Sequence, residues 1–181
     1  MQKTTIVTAL AAIVIIFSSC MNKEQKKQMG QIDSLRSTLD TISTDFNSLD
    51  STQIAKNFNQ LLSNNDAFDS IPEENVNKEL ISRHREAERN LRRYMVNYDR
   101  IKSELNKSYN QLDSLSYDVK NDVIPEGKFK FYFDDEEQVV SRLREMTEYI
   151  VTTSKKELKR YDSLQTAVNN YLKKNNIQPA E

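Results

Sequence analysis

Apolar side chains recur along most of this chain at helical spacing. Ile32, Leu35, Leu39, Ile42, Phe46 and Leu49 lie three, four, three, four and three residues apart, which is the seam of a coiled coil rather than a broad amphipathic stripe. A five-residue step then leads to Ile54, with Phe58 and Leu61 following. The pattern predicts one helix over residues 25–63 whose register slips near Gln53 and whose supercoil changes there. Asn64, Asn65 and Asp66 stand where it should stop.

A second start signal is Ser70-Ile71-Pro72-Glu73. Pro72 suits a first helical turn, and Glu73 is spaced to complete a capping box with Ser70. The seam that follows carries Leu80, Ala87, Leu91, Tyr94, Tyr98, Ile101, Leu105, Leu112, Leu115 and Val119. It predicts a helix over 72–122, ended by Pro125 and Gly127; some fifty residues of helix span about 75 Å. The third pattern, 135–175, opens on Asp134-Asp135-Glu136-Glu137 and carries Val140, Leu143, Ile150, Leu158, Tyr161, Leu164, Val168 and Tyr171. Carboxylates at a helix start satisfy free backbone N–H groups, and Asp134 with Glu137 has capping-box spacing, so a cap is expected here rather than a metal site or an acid pair.

Between the second and third patterns lies GKFKFYF at 127–133, where Phe129, Phe131 and Phe133 alternate with Lys128, Lys130 and Tyr132. A period of two predicts one short extended segment. It reads either as a connector whose Phe side chains plug the bundle end, or as an interaction edge for another protein's strand or for lipid headgroups. The tripeptide Asp-Ser-Leu at Asp33, Asp113 and Asp162 recurs once per predicted helix at unequal spacing, so it is no solenoid repeat.

Three helices with short connectors predict an all-α fold: an elongated antiparallel three-helix bundle with coiled-coil-like seams. Two glycines and three prolines in 181 residues agree with few turns. With 26 basic and 27 acidic side chains there is no electrostatic reason to expect a nucleic-acid partner.

Composition alone leaves the amino terminus unexplained. Lys3 precedes an apolar run over 6–17, then Ser18, Ser19 and Cys20, the single cysteine of the chain. The run is too short to span a bilayer, which takes about 20 apolar residues, and has the layout of a secretory signal. One cysteine cannot pair within the chain. Phe17-Ser18-Ser19-Cys20 resembles a bacterial lipobox, with Phe17 where leucine is commonest. The resemblance, to lipoproteins of Bacteroidota type, covers the first 20 residues and implies cleavage of residues 1–19 with lipid attached to Cys20. Two or three acyl chains hold a protein stably, since each buried methylene adds about 0.8 kcal/mol. The organisation expected is a signal peptide (1–19), a lipidated tether (20–24), a single helical domain (25–175) and a tail (176–181). In such lipoproteins an acidic run after the cysteine directs export to the cell surface. The run MNKEQKK, basic on balance, implies the periplasmic face of the outer membrane.

Chemistry is sparse. His84 is the only histidine and falls near the seam, where a polar residue sets helix register; a triad or zinc site needs partners the chain lacks. Arg83, Arg85, Arg89, Arg92 and Arg93 form a basic stretch, but Glu79 and Glu88 lie four residues before Arg83 and Arg92, so a self-paired solvated face is expected. No phosphate loop or nucleophile elbow is present. The reading is therefore a lipid-anchored, non-catalytic scaffold without metal or cofactor beyond the lipid on Cys20. Its partners are the membrane and an envelope protein, and the seam from Ile32 to Leu49 is also suited to pairing between copies of the chain. The alternative is a ligand- or client-binding helical module. With Cys20 at the membrane, an up-down-up order returns Lys128, Phe129, Lys130, Phe131 and Phe133 to the bilayer as candidate membrane or partner contacts.

Overall fold

The computed structural model describes residues 21–178. The expectations for the signal peptide, the lipobox and Cys20 lie outside the described residues, as does the end of the tail. Four α-helices follow one another: α1 (Lys23–Asn47), α2 (Ser51–Asp69), α3 (Lys78–Lys120) and α4 (Phe129–Lys174), with a turn of 3-10 helix at Glu73–Asn75. The all-helical class is as expected. Four helices stand where three were expected, and no strand occurs among the described residues.

α1 and α2 each pack against both long helices and not against each other. The Gln25 amide donates to the Val119 carbonyl at 3.0 Å, Tyr109 donates to Asp40 at 2.7 Å, and Asn65 donates to Glu88 at 3.2 Å. Numbers rise in α1 and α2 as they fall in α3, so both run antiparallel to it. The same holds between α3 and α4, where Asn90 donates to Glu157 at 2.8 Å and Arg93 to the Tyr149 hydroxyl at 2.6 Å.

The five-residue step in the seam becomes a break, not a change of supercoil. Leu49 stays buried, Ser48 closes α1, and Asp50 opens α2 by accepting the Gln53 N–H at 3.0 Å. Asp50→Ala is expected to lower stability by about 1 kcal/mol, as loss of an N-cap acceptor does. Asp50→Asn keeps the acceptor and should melt like the native chain; equal losses in the two variants would show that the charge, not the cap, matters.

Helix ends differ from the sequence reading in three places. Asn64-Asn65-Asp66 does not stop α2, because the Asn64 and Asn65 amides find partners on other helices, Gln165 at 3.3 Å and Glu88 at 3.2 Å. Tertiary hydrogen bonds thus remove the competition with the helix that makes Asn a breaker. Ser70 opens no capping box; its hydroxyl donates back to the Asp66 carbonyl at 3.1 Å, and α3 starts later, capped by Asn77. Both long helices close with the backbone pattern of a Schellman motif, Val123 N–H to Asp118 and Ile177 N–H to Leu172, each at 3.0 Å. In a chain so poor in glycine, Asp122 (φ 57°) and Asn176 (φ 60°) take the left-handed positions.

The extended segment at 127–133 is overturned. Gly127, at φ 73°, ends the connection, the Lys128 N–H closes a turn onto Pro125 at 3.0 Å, and α4 begins at Phe129. A strand would put all three Phe rings on one face. A helix puts Phe129 and Phe133 together and Phe131 opposite, so two rings reach the core, stacked at 5.6 Å, while Phe131 is 68% exposed. Asp134 and Glu137 consequently sit inside the helix and cap nothing; Asp134 instead pairs with Lys130 one turn earlier, at 2.5 Å.

With that start, the steps of four and three run unbroken along α4 from Phe129 to Val168, as they do along α3 from Leu80 to Val119. The main core follows these seams and α1. A second, smaller cluster of Phe68, Ile71, Leu80, Val168 and Leu172 closes the far end. There Tyr171 accepts the Asn77 N–H and donates to the Asn75 carbonyl, both at 2.8 Å.

Candidate functional site

Every candidate contact residue from the sequence within the described residues falls at one end of the bundle, where the chain enters it. Met21 packs against the main core. Asn22 caps α1 in a reciprocal box with Gln25, both bonds 2.8 Å, and Gln25 reaches across to the end of α3 through its bond to Val119. Asn22, Gln25, Val119, Ile124, Phe129 and Lys130 thereby line one half-open groove of about 450 Å³. α1 begins at Lys23, and Met21 just before it already packs on the body.

The five candidates separate into two kinds. Phe129 and Phe133 are buried at 8% exposure each, so they plug the bundle end, with only an edge of Phe129 reaching the groove. Lys128 precedes the first turn of α4 without capping it through its side chain. Lys130 and Phe131 point outward. Three exposed apolar groups outside the five candidates join Phe131 at this end: Tyr132 on α4, Tyr117 on the last turn of α3, and Val123 in the connection. The Phe131 and Tyr132 rings meet edge to face at 5.7 Å.

No protein-family model, curated protein or solved structure matches this chain. Its chemistry has to be read from its own residues.

His84 is fully buried on the α3 seam, edge-on to Phe68 at 4.7 Å. Neither ring nitrogen has a hydrogen-bond partner; the Leu61 carbonyl faces the ring without the geometry of a full bond. Burial pushes its pKa down to about 4 despite the pull of Glu88 one turn on. Burial also works against the Glu88 carboxylate, but Arg92 and Asn65 outweigh it and hold the pKa below the usual value. Arg83 pairs with Glu79 at 3.6 Å and Arg92 with Glu88, as the spacing predicts. Arg93 turns to the Tyr149 hydroxyl at 2.6 Å. No group of three or more His, Cys, Asp or Glu able to hold a metal occurs among the described residues.

A layer of buried polar side chains crosses the bundle beside His84. Glu157, 2% exposed, accepts from Asn90 at 2.8 Å and from Arg160 at 3.2 Å, and Asn64 bonds Gln165. The sequence reading took Leu158 as the seam residue, although the steps from Ile150 through Ser154 and Glu157 to Tyr161 keep the order of four and three. Heptad spacing followed through polar residues, not only apolar ones, is the signal that finds this layer. Other seam positions hold Ser108, Glu136 and Thr147, each with a buried oxygen lacking a partner. Burial, then the neighbouring Asp135 charge, raise the Glu136 pKa.

A groove of about 460 Å³ runs between α1 and α4 and is lined by Thr38, Thr41, Asp45, Arg144, Thr147 and Lys155 among others. It is half-open, with Ile42 and Val151 among its threonines and with charges of both signs, Asp45 and Glu148 against Arg144 and Lys155. Among the described residues no helix is long and apolar enough to cross a membrane.

Proposed function

We propose that this chain is a lipid-anchored envelope lipoprotein whose helical rod spaces or scaffolds a partner protein at the periplasmic face of the outer membrane, without catalysis. The single observation that supports a scaffold over a container is the filled seam: α3 and α4 carry unbroken heptad steps over almost their whole length, and the side chains at those steps occupy the interior. A rod of helices 43 and 46 residues long, roughly 65 to 70 Å at 1.5 Å per residue, suits holding two things apart. Its order is up, down, up, with α1 and α2 together forming the first rail.

The second reading, a ligand- or client-binding module, draws on the groove between α1 and α4, where the Thr147 hydroxyl is buried without a partner. The charged rim of that groove and its open form favour the scaffold.

The anchor is tested by growing cells with labelled palmitate and analysing the mature amino terminus by mass spectrometry. The native chain should begin at an acylated Cys20, and Cys20→Ser should lose all label and keep residues 1–19. A native chain without acyl groups sinks the anchoring reading. Cross-linking in intact envelopes then tests the scaffold: a specific protein partner captured through the rod is the expected result, and a rod that cross-links to no protein argues against it.

A further inference from the structure

The end of the bundle that holds Met21 carries an exposed apolar and aromatic surface, and we propose that this surface lies in the headgroup region of the phospholipid bilayer as a second contact, fixing the body against the membrane. The proposal rests on the lipid anchor at Cys20.

Phe131 is 68% exposed, Tyr117 64%, Val123 59% and Tyr132 44%. These are four of the seven large apolar side chains exposed among the described residues; the other three, Met95, Val96 and Tyr149, lie midway along α3 and α4. Each of the four falls within about one helical turn of the end, on the close of α3, the connection or the start of α4. Aromatic side chains with a polar tip, and lysines whose stems lie along apolar surface, are the residues suited to an interface between water and lipid. Lys120, Lys128 and Lys130 supply the second kind.

Covalent geometry names the occupant. Consecutive Cα atoms are about 3.8 Å apart, and Met21 is already packed on the core while Asn22 caps α1. Acyl chains on Cys20 therefore have no length of chain by which to stand off from the body. The bilayer that receives them meets this end and no other. Charge is not the attraction, because Glu24, Asp122 and Glu126 are interleaved with the lysines; contact with uncharged lipid follows, with little dependence on salt.

The chain contains no tryptophan, so one introduced residue reports its own depth. Phe131→Trp and, as a control midway along the rod, Val96→Trp are made in the full acylated protein and reconstituted into phosphatidylcholine vesicles with brominated acyl chains. Expected is a blue-shifted emission and loss of most of the intensity for F131W, unchanged in high salt, with V96W emitting as in water. Quenching by the bromine separates lipid from a second copy of the chain packed on the same surface, which would shift the emission without quenching it and would overturn the proposal. Acylated protein bound to vesicles with F131W emitting like V96W overturns it while leaving the anchor intact. A chain without acyl groups is recognised beforehand by its mass, and takes down the anchor and this contact together.

Discussion

Phe46→Ala is expected to lower stability by about 3 to 5 kcal/mol, the range for removing a buried aromatic ring from a core that cannot close over the space. Phe46 is 1% exposed in the last turn of α1. It stacks on Tyr94 at 5.5 Å and meets Tyr98 at 5.6 Å. The hydroxyls of both tyrosines lie against Ser51, the first residue of α2, and burial pushes the Tyr94 pKa up to about 12. Three rings therefore join the end of one helix and the start of the next to α3, at the point where the backbone between α1 and α2 gives no helical continuity. Tyr94, held from the α2 side, has little freedom to fill the space. Denaturation by urea, followed by helical circular dichroism, reads the loss as a lower midpoint with unchanged slope. Phe58→Ala, removing a half-buried ring that lies under Arg92, should cost less. A loss under about 1 kcal/mol for Phe46→Ala would show that the junction is held elsewhere.

The second large effect is on acid stability. With the His84 pKa at about 4 in the fold, against 6.5 for the free side chain, the unfolded chain takes up a proton at pH 6.5 and the folded chain does not until near pH 4. Over that window the unfolded state binds more protons, so stability falls as the pH is lowered, by about 3 kcal/mol at full extent. Two carboxylates complicate the lower part of the window. The raised pKa of Glu136 makes its protonation favour the fold, while the lowered pKa of Glu88 makes its protonation oppose it. His84→Leu isolates the imidazole. It should flatten the pH dependence between 6.5 and 5, where the carboxylates contribute least, and raise stability at neutral pH as well, because two unpaired buried nitrogens are removed. Equal slopes for the two proteins would show that His84 does not set acid stability.

The helical class and the course of the long seams were legible because apolar steps of three and four continue over many turns. What escaped was settled by competition between local and distant partners. Phe-Lys-Phe-Tyr-Phe alternates as a strand would, but no second strand stands among the described residues to pair with it, whereas α3 and Met21 offer apolar surface to a helix that shows two of the three rings. Asn64 and Asn65 read as a stop until Gln165 and Glu88, far along the chain, take up their amides. Glu157 was invisible to a search for apolar residues, since only the bonds from Asn90 and Arg160 make its seam position tolerable. Of the three rings that the alternating pattern put on one face, the fold exposes Phe131 and buries Phe129 and Phe133. Which Phe faces outward depends on helix phase. Tyr117 and Val123 join it only because α3 ends where α4 begins, and no local pattern encodes that meeting.

The break at residues 48–50 leaves the first rail of the bundle in two pieces. Since α1 and α2 share no contact, each learns of the other only through α3 and α4, and beyond α2's midpoint lies the polar layer of Asn64, His84, Asn90 and Glu157 before the small terminal cluster. Leu164 packs against the apolar clusters on both sides of that layer, and a small cluster set apart from the main core is the kind of unit that opens locally. Amide hydrogen exchange is therefore expected to be faster in the far tip than in the half beside Met21, and equal rates would show that the bundle opens as one unit.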